Sequence, residues 1–94
     1  MDRNEVKEKS KQVIDDIFNR IDELEKKKNS TEAKVKEEYE NLIDKLNSKK
    51  DELNMKYETL KNASDDKWDE ARQSLDASLD YFKKGLSELS GIFK

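Results

Sequence analysis

The sequence predicts an all-α protein of long amphipathic helices, and three observations lead to this fold class. Charged residues make up 46% of the chain and hydrophobic residues only 32%, whereas an ordinary globular domain has roughly 45–50% apolar residues. Proline is absent and the first glycine is Gly85, so no earlier residue breaks a helix from within. The apolar residues recur about every 3.6 positions, which is the helical period. Long helices suit this composition because each helix needs to bury only one apolar stripe.

Residues 6–60 carry one apolar stripe that keeps its helical phase. Its first part is formed by Val6, Val13, Ile14, Ile17, Ile21 and Leu24, with Phe18 at the edge. Its second part is formed by Val35, Tyr39, Leu42, Ile43, Leu46, Leu53, Tyr57 and Leu60. A loop of arbitrary length would lose this phase, so we predict an unbroken helix over residues 3–61. A break near Asn29 is the alternative, because Asn-Ser-Thr-Glu is also a capping sequence.

A second helix is predicted over residues 65–92, after a hinge at residues 62–64. Ser64 is the expected N-cap, and two acids follow it in the first turn. The stripe of this helix has the most regular spacing in the chain and contains Trp68, Ala71, Leu75, Leu79, Phe82, Leu86, Leu89 and Phe93. We expect Trp68 to pack in the core near the hinge. Tyr81 and Met55 lie off the stripes and indicate a second contact surface.

The unequal lengths of the two predicted helices favour self-association. A helix over residues 3–61 would be about 90 Å long, and the shorter helix would cover only about half of its stripe. We therefore expect an antiparallel coiled coil or helical bundle, completed by a second copy as a dimer or tetramer. The alternative is a monomeric three-helix bundle, broken near Asn29 and Ser64 into segments of about 27, 31 and 30 residues.

The central members of the stripes are the residues predicted to form an interaction seam. They are Ile17, Ile21, Leu24, Val35, Tyr39, Leu42, Leu46, Leu53, Tyr57, Leu60, Trp68, Leu75, Leu79, Phe82, Leu86 and Leu89. Their partner would be another copy of the chain or another coiled-coil protein, since apolar stripes at helical spacing bury themselves against helices. The predicted function is therefore that of a structural or scaffolding protein that acts by coiled-coil self-association.

The sequence lacks the residues on which most catalytic and metal chemistry depends. Histidine and cysteine are both absent, which excludes Ser-His and Cys-His nucleophiles and structural zinc sites. Neither glycine has a second glycine at the spacing of a phosphate-binding loop. Asp65, Asp66, Asp69 and Glu70 lie close together, but the helix dipole alone favours acids in a first helical turn. We predict no enzymatic activity, no metal ion and no cofactor.

The charge distribution bears on partners and location. The 23 acidic and 20 basic residues give a net charge of −3 and are mixed along the chain, whereas nucleic-acid binding needs a basic stripe. No segment approaches the ~20 apolar residues of a membrane span, and the N-terminal residues have no apolar run of the signal-peptide type. We therefore expect no nucleic-acid partner and a cytoplasmic location, unless a leader has been removed.

The last predicted helix supports an alternative function. Its apolar stripe is flanked by Lys67, Arg72, Lys83 and Lys94, and acids occupy the opposite face. This pattern resembles the lipid-facing helices of exchangeable apolipoproteins, in which basic residues border the apolar face. An ordinary coiled coil also places salt-bridging charges beside its seam. Reversible binding of this helix to a lipid or hydrophobic surface is the alternative to scaffolding.

Three segments between Ala33 and Phe82 carry a resemblance to known proteins. They are Lys36-Glu37-Glu38-Tyr39-Glu40-Asn41-Leu42-Ile43, Lys56-Tyr57-Glu58-Thr59-Leu60-Lys61 and Ala63-Ser64-Asp65-Asp66-Lys67-Trp68-Asp69-Glu70. They resemble small, mostly hypothetical bacterial coiled-coil proteins, in which a long charged helix leads into a Trp-containing junction and a final aromatic-bearing helix. The resemblance implies a soluble helical protein, sometimes linked to stress or the cell envelope, without catalytic residues. This chain has Lys-Asn-Ser-Thr where those proteins tend to be rich in alanine.

Overall fold

The computed structural model describes residues 2–92 of the chain, and within them it contains four α-helices and no β-strand. The helices are α1 (Arg3–Lys26), α2 (Ala33–Ser48), α3 (Lys50–Lys61) and α4 (Trp68–Ile92). Only Lys49 separates α2 from α3, so these two helices form one rod with an interruption at Lys49, called the central rod below. The architecture is a bundle of three rods, and the predicted all-α class is confirmed.

The three rods pack side by side in an up-down-up arrangement. At one end of the bundle, Arg3 forms an ion pair with Asp65, in the loop between α3 and α4. At the other end, the Tyr39 hydroxyl donates a hydrogen bond to the carbonyl oxygen of Leu24, near the end of α1. α1 and α4 are therefore parallel to each other and antiparallel to the central rod. The bundle measures 50 × 18 × 17 Å.

The prediction of one unbroken helix over residues 3–61 is wrong, because the chain reverses direction after α1. A 3-10 turn covers Lys28–Ser30. The next two residues are extended, with φ and ψ of −77° and 140° at Thr31 and of −58° and 142° at Glu32. Beyond this turn the chain is helical to Lys61 as predicted, except for the interruption at Lys49.

The reversal is favoured because it costs no apolar burial. Residues 27–32 contain no member of the apolar stripe, so the turn exposes only polar side chains and lets α1 cover the central rod. The break predicted as the alternative, near Asn29, is the one that forms. The 50 Å length of the bundle accordingly falls far short of the about 90 Å of a straight helix over residues 3–61.

The second predicted helix begins at Trp68, later than the predicted residue 65. The Lys67 amide donates a hydrogen bond to the carbonyl oxygen of Ser64 at 3.1 Å, so a turn forms where Ser64 was predicted to cap the helix. The turn places Trp68, the first residue of α4 and of its stripe, over the core. Phe93, the last residue of the predicted stripe, lies outside the described residues.

The core follows the common axis of the three rods and contains only apolar side chains. Its buried members are Val6, Ile14, Ile17, Ile21, Leu24, Tyr39, Ile43, Leu46, Leu53, Leu60, Trp68, Ala71, Leu75, Leu79, Phe82, Leu86 and Leu89. All of them belong to the predicted stripes, and no polar or charged residue among residues 2–92 is buried. Full burial of a Leu or Ile side chain contributes about 1.5–3 kcal/mol, so this core is the main source of stability.

Gly85 allows α4 to approach the central rod closely. A Cβ atom at this position would lie 2.7 Å from Leu46 Cδ2, well inside the optimal carbon–carbon separation of about 3.5–4.0 Å. Any side chain at Gly85 would therefore push Leu46 or α4 outward. Glycine in a helix interior costs about 1 kcal/mol relative to alanine, and the close helix packing offsets this cost.

Candidate functional site

The residues predicted to form an interaction seam all lie inside the bundle. Val35, Leu42 and Tyr57 are half-buried and the others are buried. The stripes predicted to face a second copy therefore face the other helices of the same chain. A partner of the closed bundle would contact side chains that remain exposed beside this core.

Trp68 anchors the junction between α3 and α4. Its side chain is buried, as predicted, and its ring lies beneath two cations of α1. The guanidinium carbon of Arg3 is 5.0 Å from the ring centroid and Lys7 Nζ is 5.9 Å from it. Arg3 also forms the ion pair with Asp65 in the adjoining loop. These contacts fasten the start of α1 to the junction, so Trp68 serves the fold rather than presenting a free stacking surface.

Tyr39 fastens the opposite end of the bundle. Its side chain is fully buried, and its hydroxyl donates a hydrogen bond to the Leu24 carbonyl oxygen. This carbonyl also accepts a hydrogen bond from the Lys27 amide at 3.1 Å, at the end of α1. Burial raises the pKa of the Tyr39 phenol, because an apolar environment disfavours the phenolate. Tyr39 is therefore a structural tyrosine that pairs the start of α2 with the end of α1.

A groove runs along the bundle between the central rod and α4, and no residue of α1 lines it. Its part nearer α3 has a volume of about 220 Å³ and is lined by Lys49, Glu52, Lys56, Ala77, Ser78, Tyr81 and Phe82. Its part nearer the start of α2 has a volume of about 250 Å³ and is lined by Leu42, Lys45, Leu46, Tyr81, Lys84, Gly85 and Glu88. The side chain of Tyr81 separates the two parts. These residues are called the Tyr81 groove below.

The groove combines an exposed ring with small neighbours on α4. Tyr81 is 43% exposed, and its ring packs edge-to-face against Phe82 with the centroids 5.9 Å apart. Ala77, Ser78 and Gly85 flank the ring and keep the floor of the groove open. Among the described residues, Met55 is the second large apolar side chain that is exposed, and it does not line the groove. Of the two side chains predicted to mark a second contact surface, Tyr81 lines this groove and Met55 does not.

The Tyr81 groove is basic, and one end of it opens into an acidic depression. The groove has four lysines and two glutamates, namely Lys45, Lys49, Lys56, Lys84, Glu52 and Glu88, which give a net charge of +2. The depression beyond its α2 end has three glutamates and two lysines, namely Glu37, Glu38, Glu88, Lys34 and Lys45, which give a net charge of −1. The end of the groove nearer α3 is called the basic end below.

Glu52 orders the basic end of the groove. Its carboxylate oxygens lie 3.2 Å from Lys49 Nζ and 3.4 Å from Lys56 Nζ. Hydrogen bonds from Lys49 and then from Lys56 lower the pKa of the Glu52 carboxyl below its ordinary value. The carboxylate therefore stays ionised at neutral pH and holds both lysines along the rim of the groove.

The acidic residues around Trp68 do not converge on one point. Asp65 pairs with Arg3, and Glu70 lies 3.8 Å from Lys67 Nζ. Over residues 2–92 there is no group of three or more Asp or Glu side chains placed to hold a metal ion. No helix in this part of the chain has the length and apolar character needed to cross a membrane.

The apolar face of α4, which the alternative function assigns to a lipid surface, is covered in the bundle. Its stripe residues from Trp68 to Leu89 are buried against α1 and the central rod, while Arg72 and Lys83 are exposed.

Comparisons with protein-family models, curated protein sequences and solved structures find no match to this chain. The resemblance to small bacterial coiled-coil proteins therefore stays a prediction.

Proposed function

We propose that the protein is a non-enzymatic structural or scaffolding protein of the cytoplasm that acts by helix–helix self-association, with the Tyr81 groove as its contact surface. The observation that carries this proposal is the charge distribution along this surface, which has a basic end, an aromatic centre at Tyr81 and an acidic depression beyond the other end. A surface of this kind is complementary to its own copy when the two are placed antiparallel.

A two-fold axis near Tyr81 gives this arrangement. It sets the α4 helices of two copies antiparallel and brings the basic end of each groove against the acidic depression beside the other. The ring of Tyr81 then enters the part of the groove beside Gly85 of the second copy, which has a volume of about 250 Å³. Paired aromatic side chains contribute about 0.5–1.5 kcal/mol beyond the area that they bury, so Tyr81 is the expected centre of the contact.

The contact is small, and the dimer is accordingly weak. The groove on α4 runs from Ala77 to Glu88, about 17 Å of helix, whereas stable interfaces bury about 1,200–2,000 Å² in total. We expect a dimer that dissociates on dilution and responds to salt, because its charged ends are exposed and are screened by ions. Such reversible association suits a protein that assembles when its local concentration rises.

Sedimentation equilibrium over a concentration series tests the proposal. The unmodified chain is expected to rise from its monomer mass of 11.1 kDa toward twice that mass. Tyr81→Glu places a charge at the centre of the contact and is expected to abolish this rise, because burial of an unpaired charge is costly.

Met55→Glu is the matched control, because it adds the same charge at an exposed apolar residue outside the groove. It is expected to leave the concentration dependence unchanged. A constant monomer mass for the unmodified chain, or equal losses in the two variants, would contradict the groove as the contact surface. A mass increase seen only on adding another coiled-coil protein would replace self-association by hetero-association.

The second candidate function is reversible binding to a lipid surface by α4. It is favoured by the exposed Arg72 and Lys83, which border a stripe containing Trp68 and Phe82. Because that stripe is buried, the bundle would have to open on the membrane. Flotation with neutral and with anionic vesicles tests this candidate. Recovery of all protein in the lipid-free fraction with both vesicle types would eliminate it.

A further inference from the structure

The reversal between α1 and α2 depends on the backbone of only two residues. Lys27 already has near-helical angles, with φ −87° and ψ −3°, and Lys28–Ser30 form a 3-10 turn. Only Thr31 and Glu32 are extended. Their φ angles are already within the helical range, so rotation of two ψ angles to about −40° would make the segment helical.

The turn also contains nothing that forbids a helix. Residues 27–32 are Lys, Lys, Asn, Ser, Thr and Glu, without proline or glycine, and no residue in the described part of the chain has a positive φ. Across the turn, Leu24 and Val35 are eleven positions apart, which is close to three helical turns. A straightened segment would therefore join α1 and the central rod into one helix with a continuous apolar stripe.

We propose that two copies of this chain exchange α1 through this straightened segment. In the exchanged dimer, α1 of each copy occupies the place on the central rod and α4 that α1 of the same chain occupies in the closed bundle. The contact between Phe18 and Phe82 and the contacts of Arg3 with Asp65 and Trp68 form again, now between copies. The segment that fills this place is α1 of the second copy, because it has the same sequence as the α1 that already packs there in the closed bundle.

The exchange supplies a second way to reach the proposed self-association and uses none of the Tyr81 groove. It predicts a different shape, since each chain would contain a helix about 90 Å long, with two bundles joined end to end. A dimer formed through the groove would instead place two bundles of 50 Å length side by side. The two modes can therefore be separated by particle length as well as by substitution.

Glu32→Pro is the variant that distinguishes the closed from the exchanged form. The φ of −58° at Glu32 suits proline, and the ψ of 140° at Thr31 is the conformation that a residue before proline prefers. The closed bundle therefore accepts the substitution. In the straightened helix the ring would clash with the carbonyl of Lys28, and we expect the exchanged dimer to decrease by about 100-fold or more.

Glu32→Ala is the matched control, because it removes the same exposed side chain and leaves the backbone free. The proteins are refolded from urea at high concentration, so that α1 is released, and are then separated by size. We expect an elongated dimer for the unmodified chain, for Glu32→Ala and for Tyr81→Glu. For Glu32→Pro we expect no elongated dimer, but only the closed bundle and its side-by-side dimer through the intact Tyr81 groove. Absence of the elongated dimer in the unmodified chain, or its persistence in Glu32→Pro, overturns the exchange.

Cross-linking identifies which chain supplies α1. The chain has no cysteine, and Lys50 Nζ lies 3.5 Å from Asp22 Oδ1 across the interface of α1 and the central rod. The double variant Asp22→Cys, Lys50→Cys is purified as the dimer and treated with a short bis-maleimide. A covalent dimer on a denaturing gel supports exchange. Cross-linked monomers alone overturn it, and would leave the groove dimer as the explanation of the mass.

Discussion

The two reversals of the chain are held by different kinds of contact. Residues 27–32 connect α1 to α2 through a nearly helical backbone, and the buried Tyr39 hydroxyl bonds the Leu24 carbonyl beside them. Residues 62–67 connect α3 to α4, and this connection is contacted by side chains of α1, which is distant in the sequence. The first reversal is therefore set by local backbone angles and one buried hydrogen bond.

The second reversal is set by side chains of α1. Arg3 and Lys7 lie over the Trp68 ring, and Arg3 also pairs with Asp65. Release of α1 would remove all of these contacts at once, whereas changing the first reversal needs only two backbone rotations. One helix, α1, therefore stabilises both ends of the bundle, by a buried hydrogen bond at one end and by two cations over the Trp68 ring at the other.

The largest expected effect is at the second reversal. Trp68→Ala is expected to lower the free energy of unfolding by about 3–5 kcal/mol, because it leaves a cavity beneath Arg3 and Lys7. Urea unfolding followed by circular dichroism measures this loss. Met55→Ala, at a side chain that is 70% exposed, is the control and should change stability by less than about 0.5 kcal/mol. Similar effects of the two substitutions would show that Trp68 is not an anchor.

A smaller effect is expected at the first reversal. Tyr39→Phe removes the buried hydroxyl and is expected to cost about 1–2 kcal/mol. The value should lie toward the lower end, because the Leu24 carbonyl keeps its bond from the Lys27 amide. Tyr81→Phe, which removes the hydroxyl from a half-exposed ring, is the control in the same urea titration. If Tyr39→Phe lowers the free energy of unfolding no more than the control does, the hydrogen bond does not stabilise the first reversal.

The same residue predicts a pH dependence. Burial raises the pKa of Tyr39 in the folded chain above its ordinary value of 10.0. As the pH rises, the unfolded chain therefore loses this proton before the folded chain does. The contribution of the protonated Tyr39 to the free energy of unfolding is complete below about pH 10, and it is lost as the pH rises through the folded-state pKa. Because lysines also titrate there, the test is the difference between the unmodified chain and Tyr39→Phe. Parallel curves from pH 8 to 11 would show that Tyr39 makes no such contribution.

The smallest effect is expected for the cation over the second reversal. Arg3→Gln is expected to cost about 0.5–1 kcal/mol, since the Arg3 and Asp65 side chains are both substantially exposed. The cost should shrink in 1 M salt, which screens exposed charges. Lys11→Gln, which removes an exposed pair within α1, is the control for loss of one positive charge. Equal and salt-independent effects would assign no special role to Arg3.

The core could be predicted from the sequence, while the path of the chain could not. Every buried side chain belongs to a stripe that the helical period identifies, because burial and period are linked. The same phase, however, is compatible with a straight helix and with a helix that folds back at residues 27–32. The choice depends on which apolar surface is available to cover the stripe, and the capping sequence that begins at Asn29 permits a break without requiring one.

The candidate site shows the same division. Tyr81 was recognisable because it lies off the stripe, and Ala77, Ser78 and Gly85 show that its surroundings on α4 are small. Leu42 and Lys45 belong to another helix, so their place beside Tyr81 follows only from the packing. The predicted start of α4 at residue 65 is also too early, because the chain forms a turn from Ser64 to Lys67 before the helix begins at Trp68.

The position of Trp68 beneath Arg3 and Lys7 gives the molecule an internal optical reporter of α1. Trp68 is the sole tryptophan of the chain and is buried under a helix that it contacts through two cations. Departure of α1 would expose the indole to water and shift its fluorescence emission to longer wavelengths. Stopped-flow fluorescence would therefore time the opening of the bundle in the unlabelled protein, and an exchange between copies would be visible as a transient loss of this shielding.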